Sequence, residues 1–156
     1  MDVHRRRTQS FLDTFPTFCA GGRVVEVIEG HKDQDEGFQK CVNLLERTKT
    51  LAGIWVGHGY ATPICWALRA RGLAGNVTLV ATHLHRDMIP YIENGSIHAS
   101  IYQDPYAHGQ TAVRLLVGYV VSSKPLPSTY ALSPQVVLRS NLYLFREANH
   151  LEPSPE

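Results

Sequence analysis

Apolar and polar positions along this chain alternate between two periods, and the switches between them outline a series of elements. The opening "RRRTQSFLDTFPTF" predicts an amphipathic helix with Phe11, Leu12 and Phe15 on one side, closed by Gly21-Gly22. "RVVEVIEG" has the Val/Ile content of a short buried strand. In "DQDEGFQKCVNLLERT", Phe38, Cys41, Val42 and Leu45 recur at spacings of three and four, and Asp33 with Glu36 resembles a capping box. Strand "LAGIWVG" precedes helix "TPICWALRARG", with Thr62 as predicted N-cap, Pro63 at its first turn and Gly72 as its stop. Strand "NVTLVAT", short helix "RDMIPYIENG" and strand "SIHASIYQ" follow, and then helix "DPYAHGQTAVRLLVGYVV" capped by Asp104. After the Pro/Ser turn "SSKPLPS", "PQVVLRSN" reads as a late strand, and "HLEPSPE" as a disordered end.

Strands that alternate with helices over short loops predict an α/β fold: a mainly parallel sheet with helices on both faces. Ligands of such sheets bind beyond the carboxyl ends of the strands. The residues just after each strand are therefore the candidates: His31 and Lys32, Gly57 to Tyr60, His83 to Arg86, and Gln103. All but Leu84 are polar or glycine. Gln103 stands where a strand gives way to a helix, and its forked amide carries both donors and acceptors.

Composition narrows the function. At 156 residues and 44% apolar content the chain has the size and make-up of one globular domain, or a piece of one. Its net charge of +1 supplies no field for nucleic acid or an anionic membrane. The run His4-Arg5-Arg6-Arg7 is too short to change that. No window approaches the ~18 apolar residues of a membrane span, and no apolar core of a secretory signal follows the first arginines. The three cysteines, Cys19, Cys41 and Cys65, are odd in number and lack CxxC spacing, which suits reduced, mostly buried thiols in the cytoplasm. Cys41 and Cys65 fall on apolar helix faces as core residues.

The segment "NGSIHASIYQDPYAHGQTAVRLL" resembles the G-x-I-x-A-[ST]-I-x-Q-x-P-x-x-x-G block of the type I periplasmic binding proteins and the LacI/GalR transcription regulators. It matches through Gly95, Ile97, Ala99, Ser100, Ile101, Gln103, Pro105 and Gly109. "RRRTQSF" resembles the family's helix opening, with Ser10 where glycine is usual, and "PLPSTYALSPQVVLRSNL" resembles its closing segment. The resemblance implies two α/β lobes closing on a small ligand, of which this chain supplies about the C-terminal half. The expected partial domain spans residues 1–144: a C-terminal lobe at about 1–101 and 126–144, and a crossover helix of the missing N-terminal lobe at about 104–122. Residues 145–156 form an expected tail.

The same resemblance implies the ligand contacts. Arg7, four residues before Phe11, matches the family's binding arginine, and Gln103 its binding glutamine. Lys32 lies near a contact position. His58 occupies a loop where the family has a polar pair such as Asn-Asp, and His83 stands where an aspartate normally holds sugar hydroxyls. Imidazoles in place of carboxylates suit an anionic ligand, so the expected effector is a sugar, a sugar acid or a sugar phosphate. Other readings are weaker. "GHG" within "WVGHGYAT" lacks the third glycine of a dinucleotide loop, because Thr62 stands there. A metal at His58, His83 and His85 has no accompanying ligand motif among eight histidines.

No catalytic residue or cofactor is expected. The resemblance implies the effector-binding part of a LacI-type regulator, cytoplasmic and dimeric, whose ligand-dependent lobe closure controls operator binding through a helix-turn-helix absent from this chain. "LRSN" favours that setting; the alternative is the periplasmic sugar-binding protein of an ABC transporter. The apolar stripe Ala112, Val113, Leu116 and Val120 would then pack on the missing lobe, or drive self-association in its absence.

Overall fold

The computed structural model describes residues 3–29 and 33–149. Six α-helices and four strands follow in the order α1 (Val3–Phe18), α2 (Gln34–Arg47), β1 (Gly53–Trp55), α3 (Thr62–Ala70), β2 (Thr78–Thr82), α4 (Ile89–Glu93), β3 (Ala99–Tyr102), α5 (Pro105–Ser122), β4 (Gln135–Val137) and α6 (Leu142–Asn149). The strands form one sheet in the order β1-β2-β3-β4. The first three run parallel, with Ile54 opposite Leu79 and Val80 opposite Ala99. β4 returns antiparallel, placing Val137 opposite Ser100. The predicted mostly parallel α/β architecture is present.

The signals that start and stop the helices act as their chemistry dictates. Asp33 accepts from the amides of Asp35 and Glu36, and Asp104 from those of Tyr106 and Ala107, satisfying donors that a helix start leaves orphaned. Gly72 and Gly95 take left-handed φ values of 67° and 81° just past α3 and α4, a region that costs other residues a Cβ clash. Leu68, Leu79, Met88, Ile92, Ile97 and Val137 are fully buried between the sheet and its helices. Each such side chain contributes about 1.5–3 kcal/mol by leaving water. Cys41 and Cys65 belong to this core, and burial pushes their thiols up to about 11 and about 12. Cys19 is exposed.

Three expectations are corrected. "RVVEVIEG" is extended over its described residues but pairs with no strand, and Val24, Val25, Val27 and Ile28 are 37–48% exposed. α2 holds it instead: Lys40 Nζ donates to the Glu29 carbonyl at 2.7 Å, and Arg47 pairs with Glu26. Local β preference supplies no ladder partner, and the side-chain contacts win. Thr62 is not a cap. It is the first residue of α3, after Ala61, and its hydroxyl donates to Asp87 at 2.6 Å. The expected tail at 145–156 begins inside α6, because Leu142 and Phe145, one turn apart, enter the core and Phe145 meets Tyr102 edge-on at 5.5 Å. "HLEPSPE" lies outside the described residues.

Candidate functional site

The carboxyl ends of β1, β2 and β3 lie under the first turns of α1. That helix buries no residue of its own and is seated by an aromatic contact: Phe11 stacks on Trp55, the last residue of β1, at 4.8 Å and 12°. One helical turn earlier on the same face comes Arg7. Its Nη1 donates to the Gly57 carbonyl at 3.2 Å, and its Nη2 to Gln103 Oε1 at 2.7 Å. The arginine and the glutamine, 96 positions apart in the chain, therefore meet at the strand ends. The planar guanidinium bridges the loop after β1 and the residue after β3 in one fork. With Oε1 engaged, the donors left to Gln103 are those of its amide nitrogen.

The histidines approach from the neighbouring loops. His58 accepts from the Tyr60 amide through Nδ1 at 3.2 Å, which assigns its proton to Nε2. Its ring lies 5.7 Å from that of Tyr60. His83 follows β2 with φ 72°, an unusual backbone for a residue with a Cβ. Two bonds hold it there: its amide donates to the Ile101 carbonyl at 2.8 Å, and the fully buried Ser100 hydroxyl donates to its carbonyl. Strain that neighbours over-determine in this way is typical of functional positions. The rings of His83 and His85 are 6.0 Å apart. Gly59 closes the gap between the loops, since a Cβ there would stand 2.6 Å from His85 Nε2.

Burial first, then the charge of His4, lowers the pKa of His58. Burial lowers that of His83, followed by the charges of Arg7, His85, His4 and His58. His4, Arg7, His58, His83 and His85 thus share one electrostatic neighbourhood, and the two shifted imidazoles resist protonation. Thr82, the buried last residue of β2, keeps a hydroxyl without a partner among the described residues.

Of the expected contacts, Arg7 and Gln103 touch, and His58 and His83 lie beside them. Lys32 lies outside the described residues. His4 was not among the expected residues, and His85 stood among the strand-end candidates without a ligand role from the resemblance. The signal for His4 was its position three residues before Arg7, on the same helix face; for His85 it was the period of two beyond His83. Among the described residues no group of three His, Cys, Asp or Glu is arranged to hold a metal. Two surface grooves lie elsewhere, one of about 500 Å³ along Gly109, Val113 and Val117 of α5, the other of about 320 Å³ between α2 and residues 26–29.

A profile of the periplasmic binding protein domain matches residues 1–124. The chain belongs to that family. No curated protein sequence matches it. Among solved structures, it is similar to an ABC transporter solute-binding protein from Agrobacterium vitis bound with α-D-tagatopyranose, with TM-score 0.82, 18% identity, and 90% of this chain covering 47% of that one. A periplasmic ribose ABC transporter protein from Conexibacter woesei gives 0.82 and 17%, with coverage of 92% and 48%. A candidate LacI transcriptional regulator from Bacteroides fragilis gives 0.78 and 13%, with coverage of 90% and 48%. At these identities the likeness is one of fold. This periplasmic-binding-protein-like chain spans about half the length of those relatives.

Proposed function

We propose that this chain is one lobe of a two-lobed receptor, that it binds a sugar or sugar derivative at the ends of β1, β2 and β3, and that it acts by binding rather than catalysis. The observation that carries the reading is the Arg7–Gln103 hydrogen bond, which joins two polar groups of complementary reach where open α/β sheets take ligands. The sugar-bound relative supports the class of ligand. Arg7, Gln103, His58 and His83 are the contacting side chains, with Lys32 as a further candidate. A single lobe offers half of a cleft, so affinity in the millimolar range is expected of the chain alone. The test is titration of the ¹⁵N-labelled chain with D-galactose, D-ribose and D-tagatose. Shifts at the Gln103 side-chain amide are expected, and in Gln103→Leu weaker binding read from the backbone amides of Gly57 and His83. Silence at Gln103 with every neutral and acidic sugar would overturn the reading.

Two settings fit this lobe. In the first it is the effector-binding part of a cytoplasmic, dimeric LacI-type regulator whose helix-turn-helix lies outside this chain. "LRSN", the free thiols and the likeness to the B. fragilis protein support it. In the second it belongs to the periplasmic sugar-binding protein of an ABC transporter, a setting that several similar solved structures, described as ABC transporter binding proteins, support. The coding sequence upstream distinguishes them: a helix-turn-helix selects the regulator, a signal peptide the carrier.

A further inference from the structure

We propose that the ligand of this lobe is an anion, a monosaccharide bearing a carboxylate or phosphate, whose oxyanion seats among His58, His83 and His85 beside Arg7 while its hydroxyls meet Gln103. This rests on the strand-end site proposed above. Three separate elements send groups that carry or can take positive charge to one place: α1 gives His4 and Arg7, the loop after β1 gives His58, and the turn after β2 gives His83 and His85. Gly59 lets the second and third of these approach, with its missing Cβ position 2.6 Å from His85 Nε2 and 3.7 Å from His83 Cδ2.

Among the described residues the Arg7 guanidinium meets no carboxylate. Both of its hydrogen bonds end on neutral oxygens, a backbone carbonyl and an amide. The carboxylates next to the cluster are committed elsewhere: Asp104 caps α5, and Asp87 accepts from Thr62. Arg86 shares the turn of Asp87, and Tyr60 shares the loop of His58. A neutral sugar would leave the Arg7 guanidinium without an anionic partner among the described residues. An oxyanion accepts from the guanidinium and from imidazole N–H groups, His58 offering Nε2–H, and His83 becomes a donor at both nitrogens when it takes a proton.

A pH dependence of definite sign follows. In the free chain, burial and the neighbouring cations keep His58 and His83 neutral near pH 7. A bound oxyanion raises their proton affinity, so binding takes up protons and strengthens as pH falls through the imidazole range. Neutral sugars gain nothing from that uptake.

The test is an imidazole ¹⁵N titration of the full chain with D-galacturonate and glucose 6-phosphate, set against D-galactose and D-glucose, at pH 7.5 and pH 6.0. Either acid is expected to shift the His58, His83 and His85 resonances, and D-galacturonate, ionised at both values, to bind about 3- to 10-fold more tightly at the lower pH, as uptake of up to one proton allows. The acid that binds more tightly distinguishes carboxylate from phosphate. His83→Asn tolerates the left-handed backbone and should flatten the pH dependence, a readout independent of any loss of folding in Arg7→Met. If neutral sugars bind as tightly as the acids at both values, the anion proposal falls and the sugar-binding site stands. If no sugar, neutral or acidic, moves these resonances or Gln103, both fall.

Discussion

Helices α3 and α5 look alike in sequence and differ in what they touch. Both follow a strand, carry Pro in the first turn and are rich in apolar residues. In α3, nine residues long, Thr62, Pro63, Cys65, Ala67 and Leu68 are buried against α2 and the sheet. In α5, twice that length, none is, and Val113, Leu116, Val120 and Val121 are 58–76% exposed. An apolar stripe states that a helix face needs cover. It does not state that the same stretch of chain provides it. α5 stands by its cap and its backbone ladder, and its apolar face is free to meet another surface.

Substitutions should separate the two helices. Leu68→Ala removes a fully buried side chain and is expected to lower stability by about 2–5 kcal/mol in urea denaturation. Leu116→Ala should stay within about 0.5 kcal/mol; an equal loss would mean that α5 is packed after all. Asp104→Ala, which removes the N-cap of α5, should cost about 1 kcal/mol and fray the helix start beside Gln103, visible as faster amide exchange at Tyr106 and Ala107. In light scattering, the isolated chain is expected to gain mass with concentration as the α5 stripe meets a second copy. Val113→Ser with Leu116→Ser should abolish that gain, and a monomer at every concentration would contradict it.

The thiols extend the comparison. Cys19 should react with iodoacetamide at pH 8, whereas Cys41 and Cys65, held as neutral thiols by burial, should wait for unfolding. Because the folded chain binds these thiol protons more tightly than the unfolded chain does, stability should fall as pH rises past the ordinary thiol value near 9.0.

Most of this architecture was legible because its punctuation is local. Asp33, Asp104, Gly72 and Gly95 act on neighbouring amides or on their own backbone, so sequence alone announces them. The failures are matters of distance. Whether "RVVEVIEG" pairs depends on a free sheet edge, and whether Thr62 caps depends on an aspartate 25 positions away. The helix at 142–149 was hidden because Leu142 and Phe145 find their partners in the sheet. At the site, Arg7 and Gln103 came from a resemblance, while the electrostatic union of His4, His58, His83 and His85 depends on one helix and two loops arriving together.

The stack of Phe11 on Trp55 gives the molecule a built-in optical gauge. Trp55 ends β1 two residues before the carbonyl that Arg7 grips, so a guest that tugs on the guanidinium disturbs the indole's surroundings. The second tryptophan, Trp66, is tied through its indole nitrogen to the Tyr91 hydroxyl at 2.7 Å, on α3 and α4. If a guest binds at the strand ends as proposed, total tryptophan emission should change on binding, and the change should be lost in Trp55→Phe but kept in Trp66→Phe.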